Sequence, residues 1–146
     1  MSQISGRPRI ISVLIGLNLF AAVATVLYWI AFFAVPEAIQ TRPGDPVYLA
    51  FQLAFPLADG WFVVAATLGA IGLWKMRDWG FLFTLLAGSA AIFLGLMDVL
   101  FDLEHGIFVP MTGEALTELA IVVLLLTLGP FSIVAMWRQR HLFVRS

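Results

Sequence analysis

The chain has 146 residues, 62% hydrophobic and 12% charged, with a net charge of -1 and a mean hydropathy of +1.00. A soluble domain is typically about 45–50% apolar and 25% charged, so the departure is towards the membrane and leaves no room for a large soluble domain. There is no cysteine, which excludes disulfides, thiolate metal sites and a cysteine nucleophile, and no Lys/Arg patch interleaved with aromatics that would point to a nucleic-acid partner.

A bilayer-spanning helix needs roughly 20 apolar residues, so the length predicts an all-α bundle of four spans, a single transmembrane domain over 1–146. The first span covers about 10–35 and carries Asn18 but no charge. It is longer than the ~7–15 residues of a signal-peptide core and is expected to stay as an anchor. A polar loop, PEAIQTRPGDP, follows at 36–46. The second span covers about 47–74. Its start is open, because VYLAFQLAF either continues the helix or lies in the interface. Pro56 favours a break or kink there, since proline suits a first helical turn and disrupts an interior. The third span covers about 79–102. The fourth covers about 114–137, with Gly129-Pro130 expected to kink it near its end.

The basic residues set a direction. In a four-span arrangement Arg7, Arg9, Lys75, Arg77, Arg138, Arg140 and Arg145 fall on one side and Arg42 alone on the other. Cytoplasmic flanks collect Lys and Arg, so both termini are expected inside, in a prokaryotic plasma membrane. The acids segregate oppositely: Glu37, Asp45, Asp59, Asp98, Asp102, Glu104, Glu114 and Glu118 are outside or in the outer half, and Asp78 alone is inside. Topology rules do not demand this, because acids contribute little to orientation.

The inner-belt tryptophans, Trp74, Trp79 and Trp137, give a depth scale. Asp98 and Glu118 each lie nineteen positions from an inner Trp, roughly 28 Å at 1.5 Å per residue. Asp102 and Glu114 lie twenty-three away, roughly 34 Å. Against a hydrocarbon layer about 30 Å thick, Asp98 and Glu118 reach its outer edge. Asp59 is deeper, roughly 22 Å from Trp74.

Periodicity then assigns faces. Thr84, Gly88, Ala91, Gly95, Asp98 and Asp102 share one stripe, which small residues suit for close helix contact inside the bundle. Asp59 shares a stripe with Val63, Ala66 and Ala70. Glu114 and Glu118 are one turn apart. Three acid-bearing faces are thereby expected to converge under the outer surface. Asp59, Glu114 and Glu118 also sit near helix starts, where the dipole favours an acid by roughly 0.3–1 kcal/mol. That reading fails for Asp98 and Asp102, which lie at a helix C-terminus one turn apart, where both the dipole and like charge oppose them.

The expected function is an acid-lined pocket open to the outer leaflet, binding or transforming a cationic or amphipathic lipid-like ligand or a metal ion. Asp59, Asp98, Asp102 and Glu118 are its expected polar groups, with Trp61, Trp29 and Phe101 as apolar walls. If the pocket is enzymatic, Asp98, Asp59 or Glu118 would supply a protonated carboxyl as general acid. Asp98-x3-Asp102-x2-His105 places three candidate ligands for a divalent metal on one helical face. Against this, a histidine before Gly106 at a helix end more often serves as a cap. Two other classes remain open. One is a non-catalytic accessory or assembly subunit, or a homo-oligomer, packing its small-residue stripe on a partner membrane protein. The other is an oligomeric cation- or proton-coupled transporter, which would need a polar path inward. Asn18, Thr25, Thr67, Thr84, Thr127 and Ser132 are the candidates weighed for one, and they are sparse.

Overall fold

The computed structural model describes residues 7–144, so Arg145 of the basic set lies outside the described residues. The described chain is helical, with no strand. The elements are α1 (Arg9–Ala34), α2 (Pro36–Ile39), α3 (Pro46–Gln52), α4 (Pro56–Trp74), α5 (Asp78–Glu104) and α6 (Gly113–Arg138), followed by a short 3-10 turn at Arg140–Leu142. Four stretches are long and apolar enough to cross a membrane: α1, α3 with α4, α5, and α6. That pattern is the mark of a multi-pass membrane protein.

Local sequence sets the boundaries. Proline opens α2, α3 and α4 at the first helical position, where its missing N–H leaves no intrahelical bond unmade. Asp45 caps α3, its Oδ1 accepting from the Val47 and Tyr48 amides at 2.9 and 3.3 Å. Thr112 caps α6 by accepting from the Ala115 amide. The second apolar segment is two helices, α3 ending at Gln52 and α4 beginning at Pro56. Pro130 lies inside α6.

The four long helices pack in chain order: α1 on α4, α4 on α5, α5 on α6, while α1 and α6 barely meet. Glycines bring the central pairs together. A Cβ on Gly72 would collide with the Gly80 backbone, and one on Gly80 with the Gly72 backbone. A Cβ on Gly88 would fall 3.0 Å from the Gly129 carbonyl oxygen, and one on Gly129 2.9 Å from that of Gly88. The α5 stripe of Thr84, Gly88, Ala91 and Gly95 is buried throughout. Asn18 of α1 donates from Nδ2 to Thr84 Oγ1 at 3.0 Å, a buried interhelical bond at mid-bundle. Around this interior, α1 presents Val23, Leu27, Ile30 and Phe33 to the surroundings, each more than half exposed, and α5 presents Phe93 and Leu96 likewise. Such continuous apolar surface fits lipid tails rather than water.

The two ends are closed differently. At the basic end, Ile11, Leu14, Leu73, Ala135, Met136 and Phe143 form a filled core. Arg7 donates to the Trp74 carbonyl, and Arg140 lies 5.0 Å over the Trp137 ring. At the acidic end α3 lies across the bundle. Phe51 stacks on Phe101 with centroids 3.9 Å apart, and Tyr48, Phe32, Phe101 and Ile107 form a small buried cluster beneath it. The chain ahead of α3 closes over α5: Arg42 donates to the carbonyls of His105 and Gly106 at 2.6 and 3.3 Å.

Candidate functional site: a cavity between the first and last spans

Because α1 and α6 share little contact beyond the filled core at the basic end, the bundle keeps a cavity of about 140 Å³ between them. It runs from the acidic end towards mid-bundle, from Tyr28 to Phe20 along α1 and from Glu118 to Leu128 along α6. Ten helical positions on α6 correspond to roughly 15 Å of length. Its back wall comes from Asp59 and Phe62 of α4 and Asp98 of α5, and Gln52 and Phe55 close its upper end.

The polar groups gather at one end. Asp59 Oδ2 accepts from Trp29 Nε1 at 2.7 Å, which ties α4 to α1. Glu118 Oε1 accepts from Gln52 Nε2 at 2.9 Å, a bond between two buried side chains that fixes α3 on α6. Asp98 is half-buried, lines the cavity and receives no hydrogen bond from any described residue. Towards the other end the lining is Phe20, Ala21, Ala24, Leu124, Leu125 and Leu128, wholly apolar. Phe20 and Leu124 are 55% and 44% exposed, so the apolar half is open to the side of the bundle. Among the described residues no lysine or arginine lines the cavity. Three carboxylates in an apolar wall without a base can hold a cation, share protons among themselves, or donate a proton to a bound molecule.

The structure brings Asp59, Asp98, Glu118 and Trp29 to one cavity. It places the other expected residues elsewhere. Trp61 is 49% exposed and does not line the cavity. It is two positions from Asp59, which carries it roughly 200° around the helix and onto the outer surface. Phe101 is buried beneath Phe51, under α3 rather than in the cavity wall. Asp102 is 0% exposed and outside the lining, and both its carboxylate oxygens lack a hydrogen-bond partner among the described residues. Expected among the polar groups of the pocket, it is instead enclosed at an end of α5 where the neighbouring Phe101 packs on Phe51 and Tyr48 of α3. His105 caps α5: the helix ends at Glu104, the His105 ring stacks on Phe101, and its Nδ1–H donates to the Phe101 carbonyl at 3.0 Å. Gly106 follows at φ +62°, the left-handed turn that glycine suits. Asp98, Asp102 and His105 are therefore not assembled as a ligand set, and among the described residues no three His, Asp or Glu side chains are grouped to hold a metal ion.

Sequence reasoning missed Gln52 and the apolar half of the cavity. Gln52 carried a usable signal, because an amide inside an apolar run is costly in a membrane unless it finds a partner. The apolar half carried none. Leu124, Leu125 and Leu128 read like any span residues, and only the separation of α1 from α6 at their level turns them into a wall. Compared with family models, curated proteins and solved structures, the chain matches none.

Proposed function

We propose that this protein binds an amphipathic molecule drawn from the outer leaflet, in the cavity between α1 and α6, with both termini cytoplasmic in a prokaryotic plasma membrane. The observation that carries this reading is the polarity gradient of the cavity: carboxylates and Gln52 at one end, hydrocarbon at the other, with the hydrocarbon half open sideways. A molecule with a polar head and an apolar chain matches that gradient in one orientation only. The orientation of the chain rests on Arg7, Arg9, Lys75, Arg77, Arg138 and Arg140 flanking one end of the bundle against Arg42 at the other.

Two features favour binding over the alternatives. The small-residue stripe of α5 is spent inside the bundle on α4 and α6, so it is not offered to a partner helix. Asn18 and Thr84 are bonded to each other, and the basic end below them is filled, which supports a closed pocket over a transport path.

The test is photolabelling of the full chain in phosphatidylcholine nanodiscs with a diazirine-bearing dodecyl maltoside, an uncharged single-chain amphiphile. Saturable label on 20–28 and 121–128, lost in Ala24→Trp, is the expected result. Label that never saturates and falls equally on the exposed Phe93 and Leu96 would show that the cavity binds nothing.

A further inference from the structure

Resting on the amphiphile-binding reading, we infer that the occupant is a single-chain amphiphile with a protonated or quaternary amine head. The head lies against Asp98 and the chain lies in the gap between α1 and α6.

The head group follows from which carboxylate is free. Of the three that face the cavity, Asp59 already accepts from Trp29 at 2.7 Å and Glu118 from Gln52 at 2.9 Å. Asp98 accepts from no described side chain, which leaves it as the group a ligand would engage. The Tyr28 and Trp29 rings, edge to face at 5.5 Å, both line the same end. Aromatic faces beside a carboxylate suit a cation, and a quaternary amine in particular.

A second, independent observation points the same way. One turn beyond Asp98 on the same face of α5, Asp102 is 0% exposed and neither of its oxygens has a hydrogen-bond partner among the described residues. A buried carboxylate left without a donor is strongly unfavourable unless positive charge comes close or it takes up a proton. Asp98 stands about 6 Å along the helix from it, so a cation held at Asp98 would be close enough to matter in an apolar surrounding. An anionic head would add like charge where no lysine or arginine can answer it.

The chain follows from size and opening. A void of about 140 Å³ resembles the ~150 Å³ engineered cavity that holds one benzene. It has room for part of one hydrocarbon chain and not for the two chains of a phospholipid. The rest of that chain would leave between Phe20 and Leu124, the two half-exposed side chains at the gap, and continue among lipid tails.

The experiment compares diazirine-bearing dodecylamine with the same chain carrying a sulfate head, on the full protein in phosphatidylcholine nanodiscs, with labelled positions read by peptide mass spectrometry. The amine should label 20–28 and 121–128 saturably and about tenfold more than the sulfate. Asp98→Asn should remove that preference while chain labelling persists, which also shows that the variant is folded. Asp98→Glu, which keeps the charge, should retain the preference. Equal labelling by amine and sulfate, or a preference undiminished in Asp98→Asn, overturns the amine assignment and leaves the amphiphile reading standing. Should Asp98→Asn not accumulate, the amine-to-sulfate ratio on the unaltered chain decides alone. Absence of saturable labelling by amine, sulfate and maltoside alike takes the amphiphile reading down as well.

Discussion

Asp102 and Asp98 stand one turn apart on α5 and meet opposite fates. Asp98 opens on the cavity, while Asp102 is fully buried without a hydrogen-bond partner among the described residues. The energetic burden therefore sits on Asp102, because a buried carboxylate without a donor is destabilising relative to a neutral group of the same shape. Asp102→Asn should leave the fold intact and raise the thermal midpoint in detergent, by roughly 2–4 °C for each kcal/mol relieved. A clear fall would mean that Asp102 engages a positive group when the protein is loaded. Trp29 is the complementary case. Its indole N–H is the donor to Asp59, and Trp29→Phe keeps a ring while removing that bond. A loss of about 1–3 kcal/mol is expected in unfolding measurements, since Asp59 is left half-buried without its partner. An unchanged midpoint would show that the bond contributes nothing net.

Between helices, close approach is set by glycine and the tie at mid-bundle by one amide. Gly72 and Gly80 leave no space for a methyl group, each facing the other's backbone. Gly80→Ala should therefore force α4 and α5 apart at a cost of about 1–3 kcal/mol. Gly60 faces open space, so Gly60→Ala should be neutral or stabilising by up to about 1 kcal/mol through helix propensity alone. Finding equal costs at both positions in a thermal-shift assay would contradict this packing. The Asn18–Thr84 bond is expected to be modest. A double-mutant cycle of Asn18→Ala with Thr84→Ala should give a coupling near ~0.6 kcal/mol, because partners remain available to both groups in a membrane.

The helices were legible in the sequence and the gap between two of them was not. Apolar length fixes four spans, and the stripe through Thr84, Gly88, Ala91 and Gly95 announces a buried face. Proline at position 56 marks where α4 begins. Asp59, Asp98 and Glu118 could be placed near one another because depth along a helix is arithmetic. Which helix pairs stay apart is not arithmetic. It depends on Gly72–Gly80 and Gly88–Gly129 drawing α4, α5 and α6 into a layered row, which leaves α1 bound to α4 and facing α6 across a void. Trp61 and Phe101 were misplaced for related reasons. A step of two residues reverses the face of a helix, and α3 folds over the acidic end, where Phe51 stacks on Phe101.

At the scale of the whole molecule, asymmetry between the ends is the organising feature. One end has filled packing and most of the basic side chains; the other has carboxylates, Arg42 as its one arginine among the described residues, and the aromatic cluster beneath α3. If basic flanks face the cytoplasm, a phosphatase-type reporter joined after Ser146 should be silent and a cytoplasm-dependent reporter active, and the reverse pattern would invert the proposed topology. The central claim, that the gap between α1 and α6 is a ligand site under three gathered acids, is tested most directly by a crystal structure grown with 12-bromododecylamine. An anomalous bromine peak is expected beside Phe20, Leu124 and Leu128, with the amine within hydrogen-bond distance of Asp98. Bromine found only against outward side chains such as Phe93 and Leu96, with α1 and α6 in dry contact and Asp59, Asp98 and Glu118 turned apart, would contradict it.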